Sequence, residues 1–222
     1  MKTIMVTGAS GDIGACIVSH LRREGYDVIA VIHDAARGAT TPALAGIETY
    51  ITDISMPTEV AALAKAITRP ISWIVAAHGY MSTELDFMKM STDEVAQTFA
   101  INTFSILSLT KFFLPTLEKG LVVISSTAGL SANGKVAAYS ASKAAVNSLV
   151  QGFARNKSEH TFLALCPGPT KGKMREKIGA EGGQDPSLVA DALLALIAEN
   201  GEYKSGDIVS VKDGVRTLEL HI

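Results

Sequence analysis

Seven short runs of aliphatic and β-branched residues recur along this chain, separated by longer stretches, and nothing else in it restricts the fold as strongly. The strand expectations are 3–7 (TIMVT), 27–32 (DVIAVI), 47–51 (IETYI), 71–76 (ISWIVA), 121–125 (LVVIS), 161–166 (TFLALC) and 207–211 (DIVSV). Several are apolar throughout instead of alternating, as suits parallel strands covered on both faces. Helices are expected at 13–24, 57–68, 92–117, 138–155 and 186–199. Alternation of this kind predicts an α/β fold, a doubly wound parallel sheet of about seven strands with helices on both faces. With no repeat or linker, residues 1–222 are expected to form a single dinucleotide-binding catalytic domain. The Gly- and charge-rich segment 168–186 reads as a mobile lid.

Composition removes several function classes. A formal net charge of −2 excludes the basic surplus of a nucleic-acid footprint. Cys16 and Cys166 are the two cysteines, so neither a disulfide framework nor a paired-cysteine zinc site is expected, and both are expected to pack as small hydrophobes. No metal site is expected. The start, MKTIMVTGASGD, lacks a signal peptide's apolar region, and no run of 18 apolar residues occurs. A cytoplasmic protein without a membrane partner is the expectation.

The first strand enters TGASGDIGACIVSHL. Glycines in a strand-to-helix turn let the backbone approach a pyrophosphate at the helix N-terminus, a role that fits Gly8, Gly11 and Gly14, with Ser10 and Asp12 available to cap. The sheet is therefore expected to be Rossmann-like. Farther on, AAYSASKAA places Tyr139 and Lys143 one helical turn apart on one face, among small side chains. Chance alone would supply about 0.3 Tyr-x-x-x-Lys pairs in such a chain, so the pair gains meaning only from its context.

That context resembles the short-chain dehydrogenase/reductase family over nearly the whole length. Thr7, Gly8 and Gly14 match its opening T-G-x-x-x-G-x-G, but Asp12 stands at the middle glycine, beside Gly11. Asp12 either lies near the phosphates or turns away to cap helix 13–24; the second is expected. Tyr139 and Lys143 match the Tyr-x-x-x-Lys pair, Ser126 the serine thirteen positions before the tyrosine, and Asn102 the helix asparagine. Asp53 matches the aspartate that contacts adenine, and Pro167-Gly168 the Pro-Gly after strand six. The usual Asn-Asn-Ala-Gly is here Ala76-Ala77-His78-Gly79, which removes a side-chain brace. His78 either faces the cofactor or is structural. The usual threonine five positions after the proline is Gly172, with Thr170 two earlier.

The resemblance implies an NAD(P)-dependent oxidoreductase acting on a small carbonyl or alcohol substrate. Its catalytic set would be Asn102, Ser126, Tyr139 and Lys143. Its cofactor-binding set would be Gly8, Ser10, Gly11, Asp12, Ile13, Gly14, His33, Asp53, Ile54, Ala77, Gly79, Tyr139, Lys143, Pro167, Gly168 and Thr170. Tyr139 would exchange the proton as general acid or base, with the Lys143 ammonium lowering its pKa. Ser126 would polarise the substrate oxygen, and Asn102 would extend a proton relay through water toward Lys143. NADP(H) is expected in preference to NAD(H). The slot of the NAD-selecting acid holds Ile32, followed by His33 with Arg37 nearby, although a shift of the loop would bring the Asp34 carboxylate to the ribose. A homodimer or homotetramer is expected from the wide apolar surface of Phe99, Ile101, Phe104, Ile106, Leu107, Leu109, Phe112, Phe113 and Leu114.

Two other readings compete. A catalytically silent dinucleotide sensor would share the fold. GLSANGKV (129–136) imitates a P-loop, but Val136 replaces the Ser or Thr that would hold Mg²⁺.

Overall fold

A computed structural model of the chain describes residues 2–131, 134–157, 159–198 and 202–221. Its strands are β1 (Thr3–Thr7), β2 (Asp27–Ile32), β3 (Glu48–Ile51), β4 (Ile71–Ala76), β5 (Leu117–Ile124), β6 (Thr161–Pro167), β7 (Ile208–Lys212) and β8 (Val215–Leu220). They form one sheet in the order β3-β2-β1-β4-β5-β6-β7-β8. The first seven are parallel, and β8 returns antiparallel to β7. Strand β8 is additional to the seven strands expected from the sequence. It follows a tight reversal at Asp213 (φ 50°) and Gly214 (φ 80°), the Asp-Gly pairing that a two-residue hairpin turn favours.

The apolar runs alternate between two cores. Ile4 and Val6 join Val122, Leu163 and Val209 under the helices α1 (Asp12–Arg23) and α8 (Pro186–Ile197). Met5 joins Ile29, Ile74, Leu121 and Phe162 on the opposite face, under α3 (Pro57–Ala66), α5 (Ser105–Phe113) and α6 (Ala137–Asn156). The remaining helices are α2 (Ala35–Ala39), α4 (Thr92–Phe99) and the short α7 (Lys173–Glu176).

The helix expected at 92–117 is divided. A π-helical turn, Ala100–Phe104, joins α4 to α5, and α5 stops at Phe113 before Pro115. Strand β5 starts at Leu117, four residues earlier than expected, with a register irregularity against β4 between Ile71 and Trp73. Glu199, placed in the last expected helix, and Ala132 and Asn133 of the P-loop-like stretch lie outside the described residues. The sheet order reverses between β1 and β4. Parallel sheets hold their ligands in the crevice at such a switch point, outside the C-terminal strand ends.

Candidate active site

Four strand ends meet there. The turn after β1 contains Gly8 at φ +68°, where an added Cβ would lie 2.6 Å from His78 Cα at the end of β4. A Cβ on Gly14 would lie 2.2 Å from the Gly8 carbonyl oxygen. Only backbone fits this crossing, so the first turn of α1 is brought tight against the switch point. The helix begins at an N-cap, Gly11, that supplies no side-chain cap. These N–H groups stand without a competing side chain, the arrangement that receives a pyrophosphate. The residues present therefore fit the pyrophosphate of a dinucleotide.

Asp12 departs from the expectation that it caps α1. Its carboxylate accepts a hydrogen bond from the Lys173 N–H at 2.9 Å, at the start of α7, with the Arg37 guanidinium 3.9 Å away. The physical reason is position. Asp12 is the first helical residue, beyond the N-cap, and Gly172 lies so near that its added Cβ would sit 2.5 Å from Asp12 Oδ2. Ser10 provides no cap either, and Ile13 packs on the core.

At the end of β2, Ile32 is buried and His33 is exposed, with its Nε2 4.0 Å from the Asp53 carboxylate. Asp53 accepts from the Ser55 N–H (2.9 Å) and hydroxyl (2.6 Å), and Ile54 beside it is buried. Asp34 caps α2, accepting from the N–H groups of Ala36 and Arg37.

Ser126 follows β5 and its hydroxyl accepts from the Ala128 N–H at 3.1 Å. The Ser126 side chain lies close enough to the Tyr139 phenol to favour its ionised form. Lys143 is 3% exposed and donates to the Ile124 carbonyl at 2.9 Å. Its Nζ lies 5.8 Å from the Tyr139 ring centroid. The expected lowering of the tyrosine is reversed: burial pushes the Tyr139 phenol up to about 12, opposed by the nearby Ser126 side chain. Burial also drives Lys143 down to about 8. Desolvation disfavours the charged form of each and is the largest cause of both shifts.

The small residues of α6 have a structural use. The turn after Ser126 packs so closely that a Cβ on Gly129 would lie 2.6 Å from the Lys143 carbonyl carbon. Cys166, fully buried under this floor, has its thiol pushed up to about 11 by burial.

Asn102 sits in the π-helical turn, 1% exposed. Its amide accepts from the Tyr80 N–H (2.7 Å) and donates to the Tyr80 carbonyl (2.8 Å) and Ser142 Oγ (2.9 Å). Neither Tyr80 nor Ser142 was singled out from sequence, although Ser142 directly precedes Lys143. A Cβ on Gly79 would be 3.6 Å from Lys143 Nζ and 3.7 Å from Asn102 Oδ1, so the glycine keeps the space between them open. Ala77 continues the β4 ladder through its N–H to the Thr7 carbonyl.

The brace expected to be missing after β4 is supplied by His78. It is almost fully buried, with Thr7 Oγ1 2.6 Å from Nδ1 and Ser105 Oγ 2.8 Å from Nε2. Burial, reinforced by the Lys143 charge, drops its pKa to about 3 and keeps it neutral. After β6, the Gly168 N–H bonds the Val211 carbonyl. The Thr170 hydroxyl donates to Gly168 O and accepts from Gln184. The lid closes on itself through Lys171, Gln184 and Pro169 backbone bonds, while Arg175 donates to the carbonyls of Glu181 and Gly182.

A family model described as short chain dehydrogenase matches residues 2–182. The chain belongs to the short-chain dehydrogenase/reductase family. This short-chain dehydrogenase/reductase is 27% identical to an acetoacetyl-CoA reductase of Acinetobacter sp. (strain RA3849), covering 96% of this chain and 97% of the other. It is 28% identical to a (3R)-3-hydroxyacyl-CoA dehydrogenase of Canis lupus familiaris, covering 95% of each. Its fold matches a 3-ketoacyl-(acyl-carrier-protein) reductase from Brucella melitensis complexed with NADH at a TM-score of 0.84. That match has 20% identity and covers 96% of this chain and 97% of the other. As a member of this family, it is an NAD(P)-dependent oxidoreductase.

Proposed function

We propose that this dehydrogenase/reductase interconverts a carbonyl compound and its alcohol, with Tyr139 as general acid and base. The observation that carries the proposal is the convergence of Tyr139, Ser126 and Lys143 at the switch point of the sheet. Gly8, Gly11, Gly14 and the first turn of α1 would hold the dinucleotide pyrophosphate, and Lys143 the nicotinamide ribose. When bound, the dinucleotide supplies or accepts the hydride.

The protein's own residues handle the oxygen and its proton. With its pKa raised to about 12, Tyr139 is protonated at neutral pH, the form that donates during reduction. Its proton passes to the substrate oxygen, while the Ser126 hydroxyl hydrogen-bonds that oxygen and stabilises its developing charge. The Lys143 ammonium steadies the phenolate left behind. The opening between Asn102 and Lys143 has the position a water-mediated proton resupply would require. In oxidation the same steps run in reverse.

Tyr139→Phe keeps the ring and removes the proton. Turnover should fall by ~10²–10⁴, as for other general acid–base groups, while dinucleotide binding survives. Acetoacetyl-CoA, indicated by the relatives' names, is the first carbonyl to assay. A dinucleotide that binds wild type but gives no oxidation or reduction across a carbonyl and alcohol panel would point instead to a silent sensor.

The cofactor reading favours NADP(H) over NAD(H). Three features support it: Ile32 fills the slot of the NAD-selecting acid, the Asp34 carboxylate caps α2, and His33 and Arg37 supply cationic candidates for a 2′-phosphate. Fluorescence titration with both reduced dinucleotides should give tighter binding of NADPH, and tighter binding of NADH would reverse the assignment.

A further inference from the structure

His78 is held by a hydrogen-bond chain whose direction can be worked out. The Ile101 carbonyl has no proton to give, so the Ser105 hydroxyl donates to it across 2.5 Å. The Ser105 oxygen then accepts from His78 Nε2–H, which leaves Nδ1 bare to accept from the Thr7 hydroxyl. Thr7 and Ser105 are both fully buried.

The chain ends at the break in the helix. In an α-helix the Ser105 N–H would bond Ile101 O, four residues back. Here it reaches Ala100 O instead, five residues back, and the Ser105 hydroxyl serves Ile101 O in its place. The widened turn carries Asn102, whose amide grips both backbone groups of Tyr80, two residues after His78.

We propose that His78 is a positioning residue that fixes the π-helical turn, and through it the Asn102–Tyr80 clamp at the mouth of the active site. A residue that merely filled space between β1, β4 and the helix would not need two directed hydrogen bonds. Only the kinetic arm of the test rests on the oxidoreductase reading.

Hydrogen exchange on the full-length, dinucleotide-free protein gives the first arm. In His78→Leu and in Ser105→Ala, exchange of the Tyr80 amide should quicken ~10-fold or more, with the Val122 and Leu163 amides of the central sheet unchanged. His78→Gln, which keeps a donor and an acceptor, should restore much of the protection. In the kinetic arm, His78→Leu should lower kcat by ~10–100-fold with little change in the dinucleotide KM. Combined with Asn102→Ala it should add almost nothing to the loss that Asn102→Ala causes alone. If His78→Leu does not fold, Ser105→Ala decides the exchange arm. Unchanged Tyr80 exchange in a folded variant, or full additivity with Asn102→Ala, would overturn the assignment. A wild type without turnover would refute the oxidoreductase reading and leave the exchange arm to decide this one.

Discussion

Lys143 keeps an ammonium almost out of reach of water, and its stability cost is visible in its chemistry. The unfolded chain retains that proton to about 10.5, whereas the folded chain releases it near 8. Between those values the unfolded state binds more protons, so the lysine's contribution to stability rises with pH. Below about 8 both states are charged and the penalty is complete, roughly 3 kcal/mol from that displacement. The bond to Ile124 O is part of the compensation, and losing it leaves an acceptor unserved. Lys143→Met should therefore unfold at higher urea than wild type at pH 7, by about 1–2 kcal/mol once the lost bond is counted. The advantage should shrink as the pH is raised from 7.5 to 10, while turnover is lost throughout. A gap between the two proteins that does not change with pH would show that the buried charge is not its cause.

Asp12 connects elements that the chain keeps far apart. It belongs to the first turn of α1, yet its carboxylate holds the N–H that opens α7, 161 residues away. Arg37 after β2 approaches the other oxygen. Asp12→Ala should loosen the lid, with a loss of ~0.5–2 kcal/mol as for other caps. Limited trypsin digestion reports this directly, since Lys171, Lys173, Arg175 and Lys177 all lie in the segment; cleavage no faster than in wild type would refute the tie. This contact marks where sequence reading stops. Most of the parallel strands were legible because a strand covered on both faces is apolar along nearly its whole length, whereas β3 (ETYI) is largely exposed at the edge of the sheet. Tyr139 and Lys143 stood out because their spacing is local, and Ser126 and Asn102 entered only through the resemblance to the family's ordered motifs. Asp12 could be seen as a departure, but its partner lies in a distant loop that periodicity does not locate. The π-helical turn was hidden because one extra residue barely disturbs a helical pattern. Strand β8 (VRTLEL) is exposed along its length and has no core face to announce it, though Asp213-Gly214 carried a hairpin signal. The sign of the Tyr139 shift was missed because burial is a property of the folded chain alone.

The rod formed by α4, the π-helical turn and α5 has two faces with different partners. Ile106, Leu109 and Phe113 are buried against the sheet, while Phe104 and Leu107 are 55% and 42% exposed on the outside. Phe99 leans on Phe104 with ring centroids 6.4 Å apart, which widens the apolar surface. The expectation of a wide apolar helix thus divides into a core face and an outer patch. Covering Phe104 and Leu107 in two copies would remove roughly 350 Å² of apolar surface, worth about 9 kcal/mol. Association costs an estimated ~4–15 kcal/mol, so these anchors alone come near to balance and neighbouring contacts decide. A second candidate surface is the free edge of β8, with Val215, Leu218 and Leu220 exposed. An unpaired edge of this kind is available to another strand. We predict a homodimer or homotetramer joined at the helical patch, back to back with the turn that carries Asn102. Phe104→Glu with Leu107→Glu should yield a folded monomer by light scattering at micromolar concentration, whereas Val215→Glu with Leu218→Glu should leave the assembly intact. A monomeric wild type would defeat the prediction outright, and dissociation by the β8 pair alone would move the interface to the sheet edge.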